Sequence, residues 1–337
     1  MTRKSIDIVC PVFREEEVIA EFHARLSAVM TTLADRYDVN VLYVVDPSSD
    51  RTEEVLSKIG MRDRRVRVLI MSRRFGHQAA IVAGIDHSQA DALVMLDSDL
   101  QHPPELIPEL VRQWETGAEI VQTLRRDGIE TNFAKRFTSK LFYKTLLRIG
   151  SVDLQTGAAD YRLLSNRVSR IFREEVREHN PFLRGLVGWV GFNIAYVPFQ
   201  PARREHGKSK YSASMLINFA VNGIFSFSTF PLRFCAAIGM VLALLSAAAV
   251  LIQLVMYFVS SKSAPGWASI FTVVNLVGGI QLIFLGVLGE YVRMIFDEVK
   301  NRPRYIVERD YRDGLAVDAT ELPSSESITI AVARAKK

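Results

Sequence analysis

The stretch Ala92-Leu-Val-Met-Leu-Asp-Ser-Asp99 joins a short apolar run to two acidic residues. An apolar run of this length predicts a buried strand. Two carboxylates one residue apart at the carboxyl end of a strand can converge on one hard divalent cation, which prefers oxygen ligands. The same pattern also suits a helix N-cap followed by a turn aspartate. The elements around the stretch are therefore needed to decide between the two interpretations.

Predicted strands and helices alternate on both sides of this stretch. The predicted strands are Ile6–Val12, Val39–Val45, Val66–Met71 and Ala92–Leu96, and the predicted helices are Glu16–Leu33, Thr52–Ile59, Gln78–Ser88 and Pro104–Glu115. This alternation predicts a parallel, doubly wound α/β sheet. Ligands of such sheets bind at the carboxyl ends of the strands, so Asp97 and Asp99 lie where a site is expected.

Composition excludes several other classes of protein. The chain has 337 residues with 42 Lys and Arg against 37 Asp and Glu, a balance too even for a nucleic-acid coat. Only two cysteines occur, which excludes a disulfide framework and a zinc ribbon. No GxGxxG or GxxxxGK[ST] motif follows any predicted strand, so neither a dinucleotide-binding site nor a P-loop is expected.

Two apolar runs mark the C-terminal third of the chain. No charged residue occurs from Phe234 to Ser261 or from Ser263 to Gly289. About 20 helical residues cross a bilayer, so the runs predict a transmembrane hairpin with helices at about 232–260 and 268–291. Two helices buried in a large soluble core are the alternative. The connecting loop has one basic residue, Lys262, whereas several basic residues precede the hairpin and several follow it. The positive-inside rule then predicts a cytoplasmic catalytic domain and cytoplasmic termini in a multi-pass protein of the cell membrane.

These patterns predict four regions. Residues 1–210 form the α/β domain, 211–230 a juxtamembrane amphipathic helix, 231–292 the two transmembrane helices, and 293–337 a cytoplasmic segment. From Asp313 onward this last segment is rich in Ala, Ser, Thr and charge without a stable period, and a disordered tail is expected.

Motifs along the chain resemble those of a known family. Four of them match in order and spacing the motifs of inverting family 2 glycosyltransferases with the GT-A fold: Pro11-Val-Phe-Arg-Glu-Glu16, Asp46-Pro-Ser-Ser-Asp-Arg-Thr52, Phe75-Gly-His-Gln-Ala79 and Asp97-Ser-Asp-Leu-Gln-His-Pro-Pro104. Later segments narrow the resemblance to polyisoprenyl-phosphate glycosyltransferases: Gly157-Ala-Ala-Asp-Tyr-Arg-Leu163, Phe182-Leu-Arg-Gly185, Arg204-Glu-His-Gly-Lys-Ser-Lys-Tyr211, Phe225-Ser-Phe-Ser-Thr-Phe-Pro-Leu-Arg233 and Gly289-Glu-Tyr291.

The resemblance implies a fold and an activity. The fold would be a GT-A-type, Rossmann-like nucleotide-sugar domain. The enzyme would transfer a sugar from a UDP- or GDP-sugar to the phosphate of a membrane polyprenol, undecaprenyl or dolichyl, at the cytoplasmic face. A Mg²⁺ or Mn²⁺ ion at Asp97 and Asp99, with Gln101 beside it, would neutralise the departing diphosphate.

Donor-binding residues are carried over from the family by position. Besides the metal-binding residues, they are Pro11, Phe13, Glu15, Asp46 and Ser98. An acidic side chain can accept a hydrogen bond from a base N–H, and an aromatic ring can pack on the base or ribose. The chain departs from the family pattern at Phe13-Arg14, at Val45-Asp46-Pro47 and at Arg74, so the base and the sugar stay open.

Acceptor-binding residues come from three later segments. By family position Arg125, Lys135 and Ser139 contact phosphate, while Arg204 and Lys210 form a basic pair that closes over the phosphates. Asp160 matches a family aspartate near the acceptor, counted here among the catalytic residues with Asp97 and Asp99. Because a phosphate monoester is mostly ionised at pH 7, Asp160 either acts as a base or orients a basic neighbour.

Two other functions compete with this interpretation. A processive polysaccharide synthase would carry a Gln-x-x-Arg-Trp motif and more membrane spans, neither of which is found here. A non-catalytic, membrane-anchored sugar-nucleotide binder would explain the altered donor motifs, although the intact Asp97-x-Asp99 argues against it. Expected partners are the nucleotide sugar, the polyprenyl phosphate and the bilayer, without nucleic acid. Glycines in the second apolar run leave homo-oligomer formation open.

Overall fold

The computed structural model of the chain describes residues 3–125, 157–179, 181–200, 229–260, 266–312 and 315–318. The chain divides into two compact units. Of the described residues, one unit holds the sheet and takes in those up to 200 and those from Pro303 onward, and the other holds those from 229 to 302. The predicted amphipathic helix at 211–230 lies almost entirely outside the described residues.

Strands and helices alternate through the first part of the sheet unit, as predicted. In chain order they are β1 (Lys4–Val12), α1 (Ile19–Leu33), β2 (Tyr37–Val45), α2 (Thr52–Gly60), β3 (Val66–Met71), α3 (His77–His87), β4 (Ala92–Met95), a 3₁₀ turn (Pro104–Leu106), α4 (Ile107–Glu115) and β5 (Ile120–Arg125). After the first gap follow β6 (Ala158–Ser165), α5 (Asn166–Glu174), α6 (Leu183–Trp189) and β7 (Ile194–Phe199). The sequence analysis did not predict β5, β6 or β7.

Within the described residues the strands, including β8 (Val307–Arg312) and β9 (Leu315–Asp318) from the C-terminal part of the chain, join in one nine-stranded sheet. Its strand order is β7-β5-β6-β4-β1-β2-β3-β8-β9. Strand β1 runs parallel to β2 and β4, and β2 runs parallel to β3, so the carboxyl ends of these four strands share one edge. The four predicted strands run parallel to one another, as expected, whereas β6, which was not predicted, pairs antiparallel with both β4 and β5. A parallel centre with antiparallel additions is a mixed sheet, and mixed sheets are common in α/β proteins.

Close packing of α3 against β1 orients the elements around the strand ends. The last five residues of β1 are buried, which gives the continuous apolar run expected of a strand covered on both faces. A Cβ atom added at Gly84 of α3 would stand only 2.1 Å from Cγ1 of Val9. Only glycine allows this approach, and it sets how closely α3, which begins at His77, lies against the sheet.

Two strands near the C-terminus extend the sheet beyond β3. Strand β8 (Val307–Arg312) pairs antiparallel with β3, and β9 (Leu315–Asp318) pairs antiparallel with β8. The prediction of a disordered tail from Asp313 therefore fails for Leu315–Asp318. A four-residue edge strand has no periodicity of its own and exists through its hydrogen bonds to β8.

A buried carboxylate holds β8 in place. Asp310 is fully buried and accepts hydrogen bonds from Arg67 Nε at 3.0 Å and Arg67 Nη2 at 2.8 Å. Arg312 Nη2 lies 3.0 Å from the same carboxylate. Burial by itself raises the pKa of Asp310. The two arginines lower it by more than burial raises it, so the pKa of Asp310 lies below its ordinary value. The charged form is therefore the one on which this junction depends.

The second unit contains two long helices, α7 (Phe230–Ser260) and α8 (Trp267–Lys300). Two stretches of them, Phe230–Ala248 and Leu276–Lys300, are long and apolar enough to cross a membrane. Their apolar side chains are largely exposed within the unit, as at Leu244 and Leu282. Two soluble core helices would bury such side chains, so the exposure agrees with the predicted hairpin.

We expect Asp310→Ala to lower the free energy of unfolding by about 3 kcal/mol, because it leaves the Arg67 guanidinium without its carboxylate. Arg312→Ala is the control, since half of that side chain is exposed and an exposed ion pair contributes less than about 1 kcal/mol. Denaturant unfolding of the full chain measures both. The contribution of Asp310 should be present above about pH 4 and be lost as the pH falls through its lowered pKa. Equal stability of the two variants would contradict this role of Asp310.

Candidate active site

The residues that follow β2 and β4 meet at the carboxyl edge of the sheet, on either side of β1. Asp46 follows β2, while Asp97 and Asp99 follow β4. Strand β1 ends in Pro11 and Val12, and the buried Ser98 hydroxyl donates to the Pro11 carbonyl oxygen at 3.2 Å. This hydrogen bond joins the acidic stretch to the end of β1.

Asp97 lies between two histidines that the sequence analysis did not single out. His77 Nε2 is 2.7 Å from Asp97 Oδ1, and His102 Nδ1 is 3.5 Å from Asp97 Oδ2. Burial by itself lowers the pKa of His77. The adjacent Asp97 carboxylate has the larger opposite effect and raises the pKa of His77 to about 9. Burial raises the pKa of Asp97, and the two histidines bring it below its ordinary value. Both histidines stand inside quoted motifs, but nothing in the sequence pairs them with Asp97.

A tight turn sets Asp99 beside Gln101. Leu100 between them has a φ of 61°, in the left-handed region, and the Gln101 backbone N–H donates to Asp99 Oδ1 at 3.1 Å. Among the residues that the structure describes, no three His, Cys, Asp or Glu side chains are grouped so as to hold a metal ion. Mg²⁺ commonly binds through one or two carboxylates, with substrate phosphates supplying further oxygens, so the oxygen donors of Asp97, Asp99 and Gln101 fit such an ion.

Phe13, a predicted donor contact, has guanidinium groups over its ring. The Cζ atom of Arg74 lies 4.0 Å from the ring centroid and that of Arg14 lies 5.2 Å from it. Arg14 itself has a φ of 57°, which is uncommon for a residue other than glycine, asparagine or aspartate. The packing of Phe13 on a base or ribose stays a prediction, and the ring lies beside two exposed guanidinium groups.

Asp46 and Glu15, the other predicted donor contacts, make structural hydrogen bonds. The Asp46 side chain is buried and accepts backbone N–H bonds from Phe75 at 3.0 Å and from Gly76 at 2.9 Å. Gly76 has a φ of 98°, a conformation that glycine adopts without strain. The Glu15 carbonyl oxygen accepts the Ile19 N–H at the start of α1. Through Gly76, Asp46 positions the loop from which His77 reaches Asp97.

Asp160 of β6 forms a second charged group with two arginines. Arg162 Nη2 lies 2.8 Å from Asp160 Oδ1, while Arg184 Nε and Nη2 lie 3.0 Å from Oδ1 and 2.7 Å from Oδ2. Burial raises the pKa of Asp160, but Arg184 and Arg162 hold that pKa well below its usual range. Burial lowers the pKa of Arg162 to about 10, although the Asp160 carboxylate acts in the opposite direction and raises it.

The remaining predicted acceptor contacts are only partly described. Arg125 ends β5, and its backbone N–H donates to the Gly157 carbonyl oxygen at 2.9 Å. The other four predicted acceptor contacts lie outside the described residues, namely Lys135, Ser139, Arg204 and Lys210. Their assignment to the acceptor stays a prediction.

Comparison with known proteins places these features in a family. Residues 7–172 match the model of Glycosyl transferase family 2. A Bacillus subtilis protein described as "Uncharacterized glycosyltransferase YkcC" is 38% identical over 304 residues, which cover 90% of this chain and 93% of that protein. The SfII prophage-derived bactoprenol glucosyl transferase of Shigella flexneri is 36% identical over 307 residues, 91% of this chain and 98% of that protein. The prophage bactoprenol glucosyl transferase homolog of Escherichia coli is 35% identical over 304 residues, with 90% and 98% covered.

Asp46→Ala should loosen the loop that carries His77. The substitution removes the acceptor of two backbone N–H groups, and an unsatisfied buried donor costs about 1–3 kcal/mol, so we expect the free energy of unfolding to fall by about 2 kcal/mol. Asp46→Asn retains one acceptor oxygen and should lie between this variant and the wild type. Denaturant unfolding measures both. An Asp46→Ala protein as stable as the wild type would show that the loop does not depend on Asp46.

Proposed function

The chain belongs to glycosyl transferase family 2, together with relatives named bactoprenol glucosyl transferase, and from this premise we propose that it transfers a sugar from a nucleotide diphosphate to the phosphate of a membrane polyprenol. One observation carries the proposal. The acidic pair Asp97 and Asp99 lies at the carboxyl edge of a parallel sheet in a chain that matches these relatives over about nine-tenths of its length and carries two candidate membrane spans.

The donor diphosphate is proposed to bind over the ends of β1 and β4. Asp97 and Asp99, with the Gln101 side chain, would hold Mg²⁺ or Mn²⁺, which supplies charge stabilisation to the departing diphosphate. His77 Nε2 lies 2.7 Å from Asp97 Oδ1 and fixes the orientation of this carboxylate. Phe13 and Glu15, which follow β1, and Asp46, which follows β2, are proposed to meet the nucleoside.

The acceptor is proposed to be a polyprenyl phosphate that attacks as an oxyanion. Its second pKa of about 6 leaves it largely dianionic at pH 7, so the reaction needs cations to position it more than a base to ionise it. Arg125, Lys135 and Ser139, and the basic pair Arg204 and Lys210, are proposed to supply these contacts. One direct displacement at the anomeric carbon inverts its configuration.

The connectivity of the sheet supports the proposed topology. Residues before the two long helices and residues after them belong to the same sheet, because β8 pairs with β3. Chain segments in one folded unit lie on one side of a membrane, so an even number of crossings is expected between them. Together with the basic residues that flank the apolar runs, this supports a catalytic domain and termini on the cytoplasmic face.

A donor screen tests the proposed reaction. Purified protein, polyprenyl phosphate in detergent and Mg²⁺ or Mn²⁺ are incubated with a panel of UDP- and GDP-sugars, and the lipid-linked product is detected by mass spectrometry. We expect a polyprenyl-phosphate sugar from at least one donor. Binding of nucleotide sugars without turnover would favour the non-catalytic binder, and growing polymer on one acceptor would favour a processive synthase.

Asp99→Asn should reduce the rate of transfer at least about 100-fold at saturating metal. Loss of a charged ligand weakens the ion that stabilises the leaving group, an effect of several kcal/mol in metal-assisted reactions. Asp38→Asn is the control, because Asp38 is an exposed carboxylate near the amino end of β2, at the opposite edge of the sheet. The initial rate of lipid-linked sugar formation measures both. A near-normal rate for Asp99→Asn would refute the metal assignment.

A further inference from the structure

Asp160 is engaged by guanidinium groups at both of its oxygens. Oδ1 accepts from Arg162 at 2.8 Å and from Arg184 Nε at 3.0 Å, and Oδ2 accepts from Arg184 Nη2 at 2.7 Å. The contact with Arg184 is bidentate, the geometry in which a guanidinium and a carboxylate match best. Asp160 is therefore held as an anion with its orientation set by two cations.

The two arginines differ in what they can reach. The Arg162 side chain is 2% exposed and also donates to the carbonyl oxygens of Ala159 and Leu183, at 3.2 Å and 3.4 Å. The Arg184 side chain is 30% exposed, against 11% for Asp160. Arg184 is therefore the member of the cluster whose guanidinium a ligand can reach.

The register of the sheet places this cluster beside the acidic pair. Strand β6 pairs antiparallel with β4, with Arg162 opposite Met95. Continued two residues beyond the end of β4, the same register would set Asp160 opposite Asp97, and the two carboxylates are close enough for their charges to act on each other. His77, which contacts Asp97, and Asp160 are also close enough for their charges to act on each other. The guanidinium of Arg184 thus belongs to the edge where a diphosphate is proposed to leave.

A role for Asp160 as proton acceptor conflicts with this arrangement. A proton on either oxygen would displace a charge-assisted hydrogen bond and remove the negative charge that lies between the two guanidiniums. The lowered pKa of Asp160 agrees with this conclusion. The proposed reaction also moves no proton from a dianionic acceptor. A phosphate oxygen bonds to the anomeric carbon, and the bond from that carbon to the diphosphate breaks with its electron pair on the nucleoside diphosphate.

We propose that Arg184 binds a phosphate group of the reactants and that Asp160 is the positioning residue that aims it. The inference rests on the proposed function and deepens it. The ligand chemistry is a phosphate oxyanion, supplied by the donor diphosphate or by the polyprenyl phosphate. The kinetic constants separate these sources, because loss of Arg184 raises the KM of the reactant that it touches in the ground state.

Arg184→Ala is the first test, since it removes the proposed ligand contact and leaves Asp160 paired with Arg162. We expect the transfer rate to fall about 10- to 150-fold, the range for losing one charge-assisted contact. Arg184→Lys should recover part of the rate, and added guanidinium should partly rescue Arg184→Ala. If Asp160 were the base, removal of Arg184 would release it, and the rate would stay the same or rise. That result would overturn the proposal.

Arg65→Ala is the matched control. Arg65 makes a bidentate pair with Asp63 at 2.9 Å and 2.7 Å and is 32% exposed, but it lies just before β3 begins, at the opposite edge of the sheet. Each variant loses one bidentate ion pair. If the two variants have similar thermal stability but only Arg184→Ala loses activity, Arg184 acts in the reaction itself. Equal activity losses in the two variants would show that Arg184 acts only through stability.

The double variant Asp160→Asn/Arg184→Ala tests the positioning role. Residues that act as one unit are not additive, so the double variant should be no slower than the slower single variant. Multiplied losses would mean that Asp160 acts independently of Arg184 and would refute the positioning role. Should Asp160→Asn fail to fold, Arg184→Ala and Arg184→Lys still decide the proposal. If the wild type transfers sugar and the Arg184 variants transfer it at the same rate, this inference alone is refuted. If the wild type transfers sugar from none of the donors, the proposed function itself is refuted.

Discussion

The parallel pairing of β1 with both β2 and β4 is the constraint on which the candidate site depends. It brings the residues after three separate strands to one edge of the sheet, so that Asp46, Asp97 and the end of β1 are neighbours. The close approach of Gly84 to Val9 then holds α3 against β1, and the first residue of α3 is His77. A looser packing of this one helix would carry His77 away from Asp97.

Electrostatics at this edge follows from the cost of burying charge. Two carboxylates at this edge lie against basic side chains: Asp97 against His77 and His102, and Asp160 against Arg162 and Arg184. Such pairing is what allows acidic groups to remain ionised away from water. The same device appears far from the site at Asp310, where Arg67 and Arg312 hold β8 on the sheet and so return the chain to its first unit after the long helices.

Local sequence patterns were sufficient to predict the alternating strands and helices, the acidic pair at a strand end and the two apolar helices, because each depends on the period or composition of consecutive residues. Only the tertiary structure decided that the sheet is mixed, that β8 and β9 extend it, and that Asp97 meets His77 while Asp160 meets Arg184. These contacts join residues 20 to more than 200 positions apart in the chain. The residues next to a charged side chain in the sequence do not identify its partner. The partner depends on which strand ends lie together, and the hydrogen-bonded register of the sheet decides that.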